Sequence, residues 1–191
     1  MIKLNLDYNR ELEKNDVVFV DINSAYIEKG AKIAAGSIIY PLVFIDKKSV
    51  IEENVKIYQS VEIENTKIDD SAVIRANSRI QNSRIGSYAT VEQSIILDSE
   101  IGDRTKLGPF AYIRPNTKVG SDCKIGDFVE IKNSIIGNGT KISHLTYVGD
   151  SDLGEKINLG CGVVFVNYDG QNKYRSTVED SAFIGCNVNI I

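Results

Sequence analysis

The sequence predicts an all-β protein built as a parallel β-helix, and three observations carry that prediction. Isoleucine outnumbers leucine three to one, 27 against nine, across 191 residues. An aliphatic residue recurs every six positions along almost the whole chain. Two residues ahead of it, a small or β-branched residue recurs with the same step. β-Branched side chains lose rotamer freedom in helices and fit pleated strands, so the isoleucine excess weighs against a helical bundle. The length suits one domain with at most a small appendage, and 42% hydrophobic residues suffice to bury a core.

Taken in order, the first fifteen residues fall off the six-residue ruler and are expected to form an N-terminal arm or cap. The β-helix is expected to occupy residues 16–191. Its ruler runs Ile27, Ile33, Ile39, Ile45, Ile51, Ile57 and Ile63, seven isoleucines in succession. One step shortens to Ile68, after which Ile74, Ile80, Ile85, Val91, Ile96 and Ile101 follow. Leu107, Ile113, Val119, Ile125 and Ile131 return to sixes, and Ile136, Ile142, Val148, Leu153, Leu159 and Phe165 carry the pattern on. The companion positions read Ala25, Ala31, Ser37, Val43 and onward through Ala111, Thr117, Cys123 and Val129. A spacing of two on a strand means one face, so both positions point inward, one large and one small. Neither a helix nor a hairpin meander has this period, whereas short strands stacked coil on coil do. The ruler breaks after Phe165 and returns at Val178, Ile184 and Ile190. The polar segment between, near 166–177, contains Asp169-Gly170 and is expected to be an extruded loop.

Composition excludes several classes. A net charge of −4 lacks the basic footprint of a nucleic-acid binder. No stretch of about 18 apolar residues suggests a membrane span, and the first residues lack a signal-peptide core. Three widely spaced cysteines with a single histidine make a zinc site or disulfide framework an unpromising reading; free thiols in a reducing cytoplasm are expected.

Departures from the repeat are where chemistry is expected, because regular coils are scaffold. With three six-residue steps to a coil, as in the hexapeptide β-helices that this pattern resembles, Arg114 and Lys132 lie 18 apart and stack one above the other. Two cations about 5 Å apart repel unless an anion lies between them, and a phosphate fits. Solvated surface cations at coincidental spacing are the plain alternative. His144, the only histidine, sits at an outward position. A lone outward histidine is more often an ordinary surface residue than a catalyst. Glu130, 14 residues earlier, is expected to lie near it in the adjacent coil and to orient the imidazole.

The hexapeptide pattern resembles the left-handed β-helix superfamily, in which three hexapeptides make a triangular coil; about nine coils fit between residues 16 and 191. Phe128-Val129-Glu130-Ile131-Lys132-Asn133, His144-Leu145-Thr146-Tyr147 and Asn167-Tyr168-Asp169-Gly170-Gln171-Asn172-Lys173 are more specific still. They resemble the C-terminal acetyltransferase domain of the bifunctional bacterial N-acetylglucosamine-1-phosphate uridyltransferase/glucosamine-1-phosphate acetyltransferase. That resemblance covers nearly everything after the N-terminal arm.

It implies acetyl transfer from acetyl-CoA to the amine of glucosamine 1-phosphate, in a cytoplasmic homotrimer serving UDP-N-acetylglucosamine and cell-envelope synthesis. His144 would be the general base, Glu130 its orienting carboxylate and Asn167 an oxyanion donor. Arg114, Lys132, Tyr147, Asn158 and Lys173 would bind the sugar phosphate. Cys161, Asn167, Tyr168 and Cys186 would line the acetyl-CoA cleft, Cys161 and Cys186 at positions usually filled by small residues. No nucleophilic cysteine is required. No Gly-rich nucleotide-binding segment occurs, so neither uridyl transfer nor a metal site is expected. The last ruler position is Ile190, one residue before the sequence stops, whereas family members continue for several coils that add coenzyme A contacts. That ladder edge is expected to be covered, by further chain or by a partner. Two alternatives stay open on the sequence: a hexapeptide acyltransferase with another amino-sugar acceptor, and a non-catalytic trimeric sugar-phosphate-binding scaffold.

Overall fold

Each six-residue step folds as a strand of two to four residues followed by a tight corner. A computed structural model describes residues 5–191, and among these it contains 29 such strands and one helix. All strand pairs are parallel and join every third strand, giving three sheets of ten, ten and nine strands. The result is an all-β parallel solenoid of about nine turns. The first face runs from Val18–Phe19 to Phe183–Ile184, the second from Tyr26–Ile27 to Asn189–Ile190, and the third from Lys32–Ile33 to Ser176–Val178.

The ruler residues fill the interior. Ile27, Ile39, Ile45, Ile57, Ile63, Ile68, Ile74, Ile80, Ile85 and Ile96 are wholly buried, and register stacks each on its counterpart, as Ile63 on Ile80 and Ile80 on Ile96. Burying one such side chain contributes about 2–3 kcal/mol, and stacking repeats that gain at every coil. The small companions (Ala25, Ala31, Ser37, Ala72, Ala89, Ala111, Cys123) are buried as well, because a large residue at both inward positions would overfill the prism.

The five-residue steps cluster at one corner. Five of the six, ending on Ile68, Ile85, Ile101, Ile136 and Leu153, turn from the second face to the third, and the one ending on Ile96 turns from the first to the second. Asn65, Asn82, Asp98, Asn116, Asn133 and Asp150 occupy that corner with φ between 44° and 63°. Asn and Asp tolerate the left-handed region better than other side-chained residues, which accounts for a polar ladder up this edge.

Residues Leu6–Lys14 form helix α1. Asn5 caps it by accepting the Tyr8 N–H at 3.3 Å. Asn9, fully buried, donates to the carbonyls of Ile22 and Ala25 at 3.2 and 2.9 Å, and Tyr8 Oη donates to Ala31 O at 2.6 Å. The helix thereby lies against the first coil. At the other end of the chain, the strands stop at Phe165 and resume at Ser176, so the extruded loop is residues 166–175.

Candidate active site

The second-to-third corner gathers cations. Pairing of Ile113 with Ile131 puts Arg114 and Lys132 at equivalent positions on adjacent coils, as the 18-residue spacing predicts. The extruded loop brings a third cation. Asp169 Oδ1 accepts the N–H groups of Gln171 and Asn172 at 2.8 and 2.7 Å, which tightens the loop tip. Arg175 anchors the returning leg through Asp152 (Nε to Oδ2 2.6 Å) and the carbonyl of Asn133 (2.9 Å). Lys173 is left beside Lys132, whose ammonium pushes the Lys173 pKa below its ordinary value. Arg114, Pro115, Asn116, Lys132, Asn133, Asp150 and Lys173 line a groove of about 340 Å³.

Carboxylates balance these charges incompletely. Glu130 Oε1 lies 2.7 Å from Arg114 Nη1, a contact that raises the guanidinium pKa further. Asp150 is buried between neighbours: Asn133 Nδ2 donates to it at 2.5 Å, Asn167 Nδ2 donates to its other oxygen, and Lys132 Nζ is 3.9 Å away. Burial works to raise the Asp150 carboxyl, but these amides and the charges of Lys132 and Lys173 hold it below the usual carboxylate range. Three cations thus face two carboxylates that are already engaged. Tyr147 Oη is 3.5 Å from Asn167 Nδ2, and a side chain at Gly149 would collide with both, so the glycine keeps this end of the groove clear.

A second cluster occupies the first-to-second corner. There His144 Nδ1 lies 2.7 Å from Asp127 Oδ1, its register partner one coil earlier. An ionised carboxylate only accepts, so Nδ1 carries the proton and the Nε2 lone pair is free for a substrate. Cys161 follows in the next coil, where the Gly162 N–H approaches the His144 carbonyl at 3.5 Å, and Cys186 follows in the coil after. Asn158 lies on the first face, paired with Lys141 and Phe183. Tyr168 is exposed on the loop and its hydroxyl donates to Gly170 O at 2.7 Å.

One expectation needs correction. Glu130 is not the partner of His144: it opens a strand of the second face, its register partner is Tyr147, and its carboxylate goes to Arg114. Asp127 stands in its place, 17 residues before His144. A coil containing one five-residue step has that length, so the ruler itself held the signal. Asp150 was also unforeseen, and its place 17 residues after Asn133 in the corner ladder marks it in the same way. The structure brings Arg114, Lys132, Lys173, Asn167 and Tyr147 to one corner and aligns His144, Cys161 and Cys186 on another. Asn158 sits apart from the cation groove, across the width of the second face.

The hexapeptide-repeat match among known families agrees with the architecture. Residues 22–105 match a family described as GMPPB C-terminal domain, and residues 98–133 match the bacterial transferase hexapeptide (six repeats). Bifunctional protein GlmU of Clostridium botulinum is 49% identical over 177 residues, 93% of this chain and 35% of that protein. The same protein of Clostridioides difficile is 45% identical over 177 residues, again 93% and 35%. The chain therefore spans about a third of the length of these curated relatives. Among solved structures, an Arabidopsis UDP-N-acetylglucosamine acyltransferase aligns with a TM-score of 0.48 at 17% identity, over 86% of this chain and 65% of that one. Identical at about half of the aligned positions over 93% of its length, this chain is homologous to the C-terminal 35% or so of bifunctional GlmU and is a hexapeptide-repeat domain.

Proposed function

We propose that the protein transfers the acetyl group of acetyl-CoA to the amine of glucosamine 1-phosphate, giving N-acetylglucosamine 1-phosphate. The observation that carries this reading is the Asp127–His144 pair, a general base with its imidazole tautomer set, on the same solenoid as a groove of three cations. The sugar phosphate enters the groove between Arg114, Lys132 and Lys173, and Arg114 then shares its guanidinium between phosphate and Glu130. Binding at the phosphate supplies energy remote from the reacting atoms, which is used to orient the amine.

His144 Nε2 takes the proton as the amine nitrogen attacks the thioester carbonyl. The carbon–sulfur bond then breaks and coenzyme A leaves as the thiol. A positioned base of this type contributes about 10²–10⁴ in rate. Asn167 is the candidate oxyanion donor, while Tyr168, Cys161 and Cys186 flank the donor.

A homotrimer fits this chemistry, because the two clusters of one chain lie at opposite edges of the second face. Roughly 15 Å of extended chain separates His144 from the cation corner. A second copy packed on this face brings a base from one subunit to a phosphate groove of another. Phe110, Phe128 and Leu145 support that packing: they form an exposed apolar ladder at the same corner as His144, with the two phenyl rings stacked at 5.4 Å. The test is incubation with acetyl-CoA and glucosamine 1-phosphate, with the acetylated sugar and released coenzyme A followed by chromatography. Absence of both products at high acetyl-CoA defeats the enzyme reading. Retained phosphate binding in that case leaves the sugar-phosphate-binding scaffold.

A further inference from the structure

The corner column that holds Asp127 and His144 continues into two thiols. Leu159 pairs with Ile184, and the ladder carries on around the corner: Gly160 N–H donates to Ile184 O at 2.8 Å, and Asn187 N–H donates to Cys161 O at 2.8 Å. Cys161 and Cys186 are therefore register neighbours on adjacent coils. The backbones touch so closely that a Cβ at Gly160 would stand 2.6 Å from the Cys186 nitrogen. Neighbouring strands lie about 4.7–4.9 Å apart, inside the Cα separation of about 4.4–6.8 Å that disulfides span. Cys161 is half-buried and Cys186 exposed, both as free thiols. Cys123 differs: it is buried, its Sγ donates to Gly137 O at 3.2 Å, and burial pushes its thiol up. Reactivity follows thiolate character and access, so the corner pair and the core thiol belong to different classes.

We infer that Cys161 and Cys186 form a reversible disulfide by exchange with a low-molecular-weight disulfide, and that the bridge closes the approach to His144 one coil away. The exchange balances without a further oxidant. One corner thiolate attacks the small disulfide, giving a mixed disulfide and releasing one small thiol. The second corner thiolate attacks the protein sulfur of that mixed disulfide, forming the bridge and releasing the other small thiol. Two protein thiols lose two electrons and two protons, and the small disulfide gains them. Side chains of in-register parallel neighbours start side by side, so the corner must draw together by some tenths of an ångström to bond. Such a bridge is strained and readily reduced, which makes it a labile, responsive bond instead of a structural staple. The consequence for catalysis rests on the acetyltransferase reading; the bond itself does not.

Intact-mass measurement after treatment with oxidised glutathione tests the bond, with the remaining thiols alkylated in denaturant so that buried Cys123 also reacts. The expected product is lighter by two hydrogens, alkylates once, at Cys123, and yields a peptide linking Cys161 to Cys186. Dithiothreitol restores three alkylations. Cys161→Ser and Cys186→Ser should each hold a stable glutathione adduct on the remaining corner cysteine. Three alkylations after oxidation, or separate glutathione adducts on both corner cysteines of the wild-type chain, overturn the inference. Acetylated sugar is then compared between bridged and reduced wild-type protein. A loss of about tenfold or more that dithiothreitol reverses is expected when the base is occluded. Equal rates in the two forms overturn the occlusion. A reduced protein with no transfer at all counts against the enzyme reading alone, because the mass result still decides the bond.

Discussion

Asp127 Oδ1 faces His144 Nδ1 at 2.7 Å because the two residues are register partners at the ends of adjacent strands. The pair is half exposed at a corner, so nothing in the core depends on it. Asp127→Ala should therefore leave the thermal midpoint within about 1 °C of wild type, as surface substitutions generally do. Acetyl transfer should nonetheless fall about ten- to a hundredfold in kcat, with the KM for glucosamine 1-phosphate unchanged, since the carboxylate acts only through the imidazole. Asp127→Asn, which keeps a hydrogen-bond acceptor without the charge, should fall between. An equal fall in Glu130→Ala accompanied by an intact Asp127→Ala enzyme would return the orienting role to Glu130.

The cation groove predicts the opposite kinetic signature. Lys132→Ala or Lys173→Ala should weaken binding of inorganic phosphate about tenfold each and raise the KM for the sugar phosphate. The effect should shrink at high salt because Lys173 is exposed. Lys132 holds the Lys173 pKa below 10.5, so alkaline titration removes the Lys173 charge earlier than for an ordinary lysine, and phosphate affinity should fall with it. Isothermal titration across that range, wild type against Lys132→Ala, checks the assignment. An identical alkaline limb in both would detach Lys173 from Lys132.

How far the sequence reaches is visible in these same residues. The ruler fixes which side chains point inward, and Arg114 and Lys132 stack as their spacing requires, because every coil repeats one geometry. Side chains at corners escape that logic. Glu130 and Asp127 are three residues apart, yet they project at opposite ends of the first-to-second corner. Only the coil length of 17 discriminates between them. Asp150 reads in isolation as a turn former in the left-handed region, and its buried network depends on an amide delivered by the loop. Helix α1 offers only a short signature, Tyr8 and Leu12 one turn apart against the core, and the buried, hydrogen-bonding Asn9 beside them matches no apolar pattern.

Asp150 links stability to acid. Its native pKa lies below the ordinary 3.8, so the unfolded chain binds the proton more readily. The stabilisation is fully present above pH 3.8 and is lost as pH falls below it toward the depressed native value. Asp150→Asn should therefore show a flatter decline of thermal midpoint than wild type below that pH. Asp150→Ala at neutral pH should cost about 2–3 kcal/mol, because the Asn133 and Asn167 amides and the Lys132 charge lose their shared acceptor. Parallel acid profiles for wild type and Asp150→Asn would show that the carboxylates elsewhere carry the acid response.

The ruler makes a prediction that separates knob from surface within one residue class. Ile96 and Ile95 are adjacent and chemically identical, but Ile96 is fully buried between Ile80 and Ile113, whereas Ile95 faces outward on the second face and is 42% exposed. Ile96→Ala should cost about 2–5 kcal/mol in chemical denaturation, the transfer term plus the cavity left where neighbouring coils cannot collapse into it. Ile95→Ala should cost under about 1 kcal/mol in the monomer, since little area returns to water. If the second face packs against another copy, Ile95→Ala should instead shift assembly, seen as a lower mass by light scattering on dilution while the unfolding midpoint at high denaturant stays put. Similar losses of stability for the two variants, independent of protein concentration, would contradict the alternation on which the whole solenoid is built.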